Sequence, residues 1–189
     1  MNNSKIEELL KNHLIKNITF CKDEILSATT NLQLADEDSV CFYHITDSPN
    51  SIQVFLERLK NSDCRNIIVS KNLDIDNVNV WVVDYENFLE AQEIIADVLY
   101  PNKGTLKLAG ITGTNGKTTV SYLAMQMATS LGYPSISIGT IGIRSSSEIL
   151  EDDILSTTPS YLELRRIIYK YQDKYKIIFM EVSSHAIHQ

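Results

Sequence analysis

Residues 110–119 read Gly-Ile-Thr-Gly-Thr-Asn-Gly-Lys-Thr-Thr, a run that combines turn-forming glycines with one lysine and a series of hydroxyls. Glycines at 113 and 116 let a backbone turn its N–H groups toward one point, where an anion can collect them. A helix starting at such a turn adds the partial positive charge of its N-terminus. Lys117 then has the reach for the β- and γ-phosphates of a nucleotide, and the Thr118 hydroxyl is a ligand type that suits Mg²⁺. Gly113, Thr114, Asn115, Gly116, Lys117, Thr118 and Thr119 are therefore the candidate ATP-binding residues, with Lys117 as the candidate catalytic cation. The general GxxxxGK[ST] spacing is not met, because Ile111 stands five positions before Gly116. A glycine turn that binds nothing would leave Lys117 opposing the helix dipole without compensation, which favours the phosphate-binding reading.

Two further segments carry groups suited to the same chemistry. Glu181 closes the apolar run 176–182, and a carboxylate at the end of a buried strand needs compensation. A Mg²⁺ ion beside the γ-phosphate would supply it, so Glu181 joins Thr118 as a candidate metal ligand. Ser156, Thr157, Thr158 and Pro159 cluster hydroxyls ahead of a helix; taken alone, they read equally as a capped helix start with proline in its first turn.

These residues need a scaffold, and the apolar pattern supplies one. Before the loop the sequence predicts a helix over 3–11, a strand over 40–45, a helix over 51–59, strands over 66–70 and 78–83, and a helix over 86–99. Pro101 to Gly104 is the turn-rich break, and it divides an N-terminal domain, 1–102, from a second domain, 103–189. After it come a strand over 106–112, a helix over 118–131, a strand over 135–139, a helix over 161–171 and a strand over 176–182. The fold class is α/β: a small N-terminal α/β substrate domain, then the first part of a P-loop-type, mostly parallel, doubly wound ATPase domain. The acidic cluster Glu148, Glu151, Asp152 and Asp153 is read as a solvated loop.

Bulk properties narrow the partners. A 189-residue chain with 43% hydrophobic residues can bury a sizeable core, and a formal charge of -7 offers no basic surface for nucleic acid or an anionic membrane. Cys21, Cys41 and Cys64 show no metal spacing and read as inert free thiols of a reducing cytoplasm. Residues 1–20 lack the apolar core of a signal peptide or a membrane span.

Gly-Thr-Asn-Gly-Lys-Thr-Thr at 113–119 resembles the ATP loop of the Mur ligase and folylpolyglutamate synthetase superfamily. Ser156 to Pro159 looks like that family's Thr-Thr-Pro segment, and Glu-Val-Ser-Ser-His at 181–185, with Gln189 four residues on, is similar to the MurE type. The resemblance implies that Ser156, Thr157, Thr158, Ser183 and Gln189 bind the muramoyl-peptide substrate. His185 fits the motif but receives no chemical role, and His188 receives none. In MurE-type enzymes the first domain binds the uridine end through an Asp-Ser-Arg segment; here the place reads Thr29-Thr30-Asn31, so Thr30 keeps a hydroxyl while the arginine and several glycines are missing.

What the resemblance implies is a monomeric, cytoplasmic ligase of peptidoglycan synthesis using ATP and Mg²⁺. It would phosphorylate the terminal carboxylate of UDP-N-acetylmuramoyl-L-alanyl-D-glutamate, and diaminopimelate or lysine would attack the acyl phosphate. Further family residues and a C-terminal domain fall past Gln189, so this chain is expected to be an inactive fragment whose strand 176–182 lies uncovered at a sheet edge. The alternatives are a folylpolyglutamate or cyanophycin synthetase, or a nucleotide-binding module without ligase chemistry.

Overall fold

A computed structural model describes residues 1–20, 24–152 and 156–184. Two units are present: Met1–Pro101 with Tyr161–Glu163, and Asn102–Ser160 with Leu164–Gln189.

The first unit is built on a five-stranded sheet in the order β1-β5-β4-β3-β2, from β1 (Leu14–Ile18), β2 (Ser27–Thr29), β3 (Ser39–Tyr43), β4 (Asn66–Val69) and β5 (Asn79–Val83). Strands β2 to β5 run parallel and β1 is antiparallel to β5. Every residue of β4 and β5 is buried, as a strand covered on both faces requires. Alternation sends Cys41, Ile67, Val80 and Val82 to one face, where α2 (Ser51–Lys60) contributes Phe55 and Leu59. Phe42, Ile68, Trp81 and Val83 point the other way, against Ile6 of α1 (Asn3–Leu9) and Ala91 and Ile95 of α3 (Phe88–Leu99). Trp81 is wholly buried. A 3-10 turn, Tyr85–Asn87, precedes α3, so the helix begins two residues later than its pattern predicts. Cys41 and Cys64 are buried free thiols; Cys21 lies outside the described residues.

The second unit has the sheet order β6-β10-β7-β8-β9, from β6 (Lys107–Ile111), β7 (Ser135–Gly139), β8 (Gly142–Arg144), β9 (Ile149–Glu151) and β10 (Ile177–Glu181). β6, β10 and β7 are parallel, while β8 and β9 extend the sheet in antiparallel fashion. Ile136, Ile138, Ile178 and Met180 share one face with Ile167 and Tyr171 of α5 (Tyr161–Tyr171). The opposite face of β7 carries only Ser135, Ser137 and Gly139, and these small residues let α4 (Lys117–Ser130) cross close to β7 and β10.

Two expectations are corrected here. The apolar strand 176–182 is not at an edge: β10 is inserted between β6 and β7, paired on both sides, because a crossover places the last of the described strands inside the sheet. The acidic cluster is not a free solvated loop either. Glu151 belongs to β9 and is only partly exposed, accepting hydrogen bonds from Arg166 at 2.8 Å, Lys170 at 2.7 Å and the Tyr171 hydroxyl at 3.0 Å. Glu148 pairs with Lys174 and Asp152 with Arg144, so the charges bind the antiparallel ribbon together and tie it to α5 and the turn beyond. Asp153 lies outside the described residues.

Candidate functional site

Three strand ends meet at the carboxyl edge of the second sheet. β6 runs into the glycine loop, β10 ends on Glu181, and β7 ends on Gly139, with Glu181 in register with Ile111 and Met180 with Ile138. The carboxyl edge of a parallel sheet is where ligands of open α/β folds collect, because loops and helix N-termini converge there.

The loop itself is shaped by two glycines with positive φ, Gly113 at 150° and Gly116 at 81°. Gly116 is the N-cap of α4 in the left-handed region, and nothing lies within 4 Å of where its Cβ would be, so conformation and not space demands glycine there. No side chain caps the helix, which leaves its first N–H groups for another acceptor. Thr114 and Asn115 are exposed, as is Thr119 in the first turn of α4. Lys117 donates from Nζ to the Gly113 carbonyl at 2.7 Å, so an oxygen of its own loop occupies the ammonium that sequence reasoning aims at a phosphate.

Glu181 is 1% exposed, yet no lysine, arginine or histidine pairs with it among the described residues. Only neutral donors reach it. Thr140 N–H donates to Oε1 at 2.9 Å, Thr118 Oγ1 donates to Oε2 at 2.9 Å, and Thr140 Oγ1 donates to Oε2 at 3.3 Å. The two candidate metal ligands are therefore in direct contact. A buried carboxylate without a cation, ringed by hydroxyls beside a phosphate-type loop, fits Mg²⁺, which takes hard oxygen ligands and needs only one or two carboxylates when phosphates supply the rest. No cluster of three or more histidine, cysteine, aspartate or glutamate side chains suited to a metal occurs among the described residues, so a transition-metal cage is not the pattern here.

The Thr-Thr-Pro segment approaches the same carboxylate from the backbone side. Thr158 Oγ1 donates to the Glu181 carbonyl at 3.0 Å and accepts the Ser183 N–H at 2.9 Å. Thr157 Oγ1 lies 3.3 Å from Thr140 Oγ1. Ser156 donates locally to the Thr158 carbonyl. Thr118, Thr157, Thr158, Glu181 and Ser183 are thus one connected cluster. Thr30 belongs to the first unit, in the bend after β2, where it is the neighbouring Thr29 whose hydroxyl accepts the Asn31 N–H. His185, His188 and Gln189 lie outside the described residues. Sequence reasoning missed Gly139 and Thr140, whose place beside Glu181 follows from the pairing of β7 with β10.

Residues 111–189 match the Mur ligase middle domain. The chain carries a Mur ligase middle-domain segment. It is similar to the UDP-N-acetylmuramoyl-L-alanyl-D-glutamate--2,6-diaminopimelate ligase of Geobacillus thermodenitrificans (strain NG80-2), at 38% identity over 115 residues, 60% of this chain and 23% of that protein. The ligase of the same name from Listeria innocua serovar 6a is 39% identical over 128 residues, 65% of this chain and 24% of that protein. A solved structure of a ligase so named superposes with a TM-score of 0.60 at 19% identity, covering 87% of this chain and 33% of that one, a likeness of fold. The chain spans about a quarter of the length of the curated relatives it matches.

Proposed function

We propose that this chain carries the nucleotide-binding part of an ATP-dependent ligase that adds the third amino acid to UDP-N-acetylmuramoyl-L-alanyl-D-glutamate in peptidoglycan synthesis. Relatives named as 2,6-diaminopimelate ligases favour diaminopimelate over lysine as that amino acid. The observation that carries the reading is the cation-free buried Glu181 held against Thr118 at the mouth of an uncapped, glycine-shaped loop.

In this reading the loop amides from Gly113 to Thr119 bind the nucleotide phosphates, and Lys117 releases the Gly113 carbonyl to neutralise the transferring phosphoryl group. Thr118 and Glu181 would hold Mg²⁺, which when bound offsets charge on the phosphate oxygens. Thr157, Thr158 and Ser183, with Ser156 and Gln189, would orient the substrate carboxylate for phosphorylation, after which the amine attacks the acyl phosphate and inorganic phosphate leaves. The N-terminal unit, 1–102, would take the uridine end, with Thr30 among its contacts. In this reading the full-length enzyme is a cytoplasmic monomer.

Calorimetric titration of the chain with ADP and Mg²⁺ tests the nucleotide site. Lys117→Ala is expected to weaken binding at least about tenfold and, in a protein carrying the remaining domains, to lower ligation about a hundredfold, since it deletes a charge aimed at the phosphoryl group. Unchanged binding and turnover in that variant would remove the assignment.

A further inference from the structure

We propose that the Gly139-Thr140 turn is a built seat for the Glu181 carboxylate, with Thr140 as the residue that positions it for a divalent cation; this rests on the reading of Glu181 as a metal ligand. Gly139 pairs with Gly142 across the antiparallel β7–β8 ladder, so Thr140 and Ile141 form a two-residue hairpin turn. Such a turn fixes its first residue tightly. Thr140 thereby reaches both carboxylate oxygens, with its N–H on Oε1 at 2.9 Å and its hydroxyl on Oε2 at 3.3 Å.

Gly139 supplies the space. A Cβ built there would lie 1.9 Å from Oε1 of Glu181, 2.3 Å from its Cδ and 2.5 Å from its Cγ, so the side chain lies flat across the glycine. Its φ is not positive, and glycine is needed at this position for room. The Thr140 hydroxyl also sits 3.3 Å from that of Thr157, which connects the seat to the Thr-Thr-Pro segment. A carboxylate oriented only by neutral donors has no cationic partner to give up to an incoming ion, and donors of this kind around a ligand set affinity by orienting it.

The test measures Mn²⁺ affinity by the free-ion signal in electron paramagnetic resonance, with the full chain and ADP, and folding by circular dichroism. Thr140→Val keeps the shape and the backbone N–H but removes the hydroxyl; it is expected to weaken Mn²⁺ binding about tenfold. Thr140→Ser restores the hydroxyl and should stay within about threefold of wild type. Gly139→Ala, which removes no ligand atom but drives a Cβ into the Glu181 carboxylate, should weaken Mn²⁺ at least as much as Thr140→Val by displacing that group. Wild-type Mn²⁺ affinity in Thr140→Val overturns the inference; if that variant does not fold, wild-type affinity in Gly139→Ala overturns it. ADP binding by the wild-type chain with no dependence on Mn²⁺ overturns the seat while leaving the phosphate loop standing. Absence of ADP binding overturns the proposed function, and the seat with it.

Discussion

Thr118 and Thr140 can each turn a hydroxyl to donate or accept, and the Thr140 backbone N–H can only donate. That asymmetry decides how Glu181 responds to substitution. In Glu181→Gln the amide oxygen can keep the Thr140 N–H while the amide NH₂ faces two hydroxyls free to reverse their roles. The stability change should stay under about 1 kcal/mol, whereas the Mg²⁺ dependence of ADP binding is lost with the charge. Calorimetric melting with and without Mg²⁺ and ADP checks both halves, and a large loss of stability with intact Mg²⁺ dependence would make the carboxylate structural. Glu181→Ala instead leaves a buried N–H unpaired and should cost about 1–3 kcal/mol. At this scale the sequence was informative where a residue breaks a pattern, as Glu181 breaks an apolar strand and Lys117 follows glycines. Thr140 breaks nothing; its role depends on β7 lying beside β10, which no local spacing encodes.

Among the elements, the ribbon β8–β9 is held to α5 chiefly through Glu151. Burial alone would raise that carboxyl, but hydrogen bonds from Arg166, Lys170 and Tyr171 outweigh it and hold the group down to about 2. A depressed pKa contributes stability that is fully present above the unfolded value near 4.5 and is lost as the pH falls toward about 2. Glu151→Gln should therefore melt below wild type at pH 6, and the gap should narrow as the pH drops from about 4.5, read by calorimetry across that range. A gap independent of pH would mean the carboxylate charge is not what binds the ribbon. The same ribbon marks the limit of pattern reading. Apolar runs announced β4, β5 and β10, and 3.6-residue spacing announced α2. β1 is interrupted by Lys16 and Asn17, and β2, β8 and β9 have three residues each, so neighbouring strands define them more than their own composition does. Sheet order was hidden too, since β10 is the last of the described strands and yet lies between β6 and β7.

Over the whole molecule, each unit has its own sheet and its own buried apolar clusters. Phe55 is fully buried between α2 and the first sheet, its ring 4.7 Å from that of Tyr43. Phe55→Ala should destabilise the first unit by about 3–5 kcal/mol, seen as a lower denaturation midpoint in circular dichroism. A loss below about 1 kcal/mol would mean the α2 face is not packed as described. Trp81 gives that unit one more property, because it is the sole tryptophan of the chain and sits wholly buried on the opposite face of the same sheet. Indole emission is therefore an optical label on the half of the molecule that holds no phosphate loop: blue-shifted while the first sheet stands, red-shifted when it opens. Fluorescence melts of this chain record the first unit, whatever happens in the second.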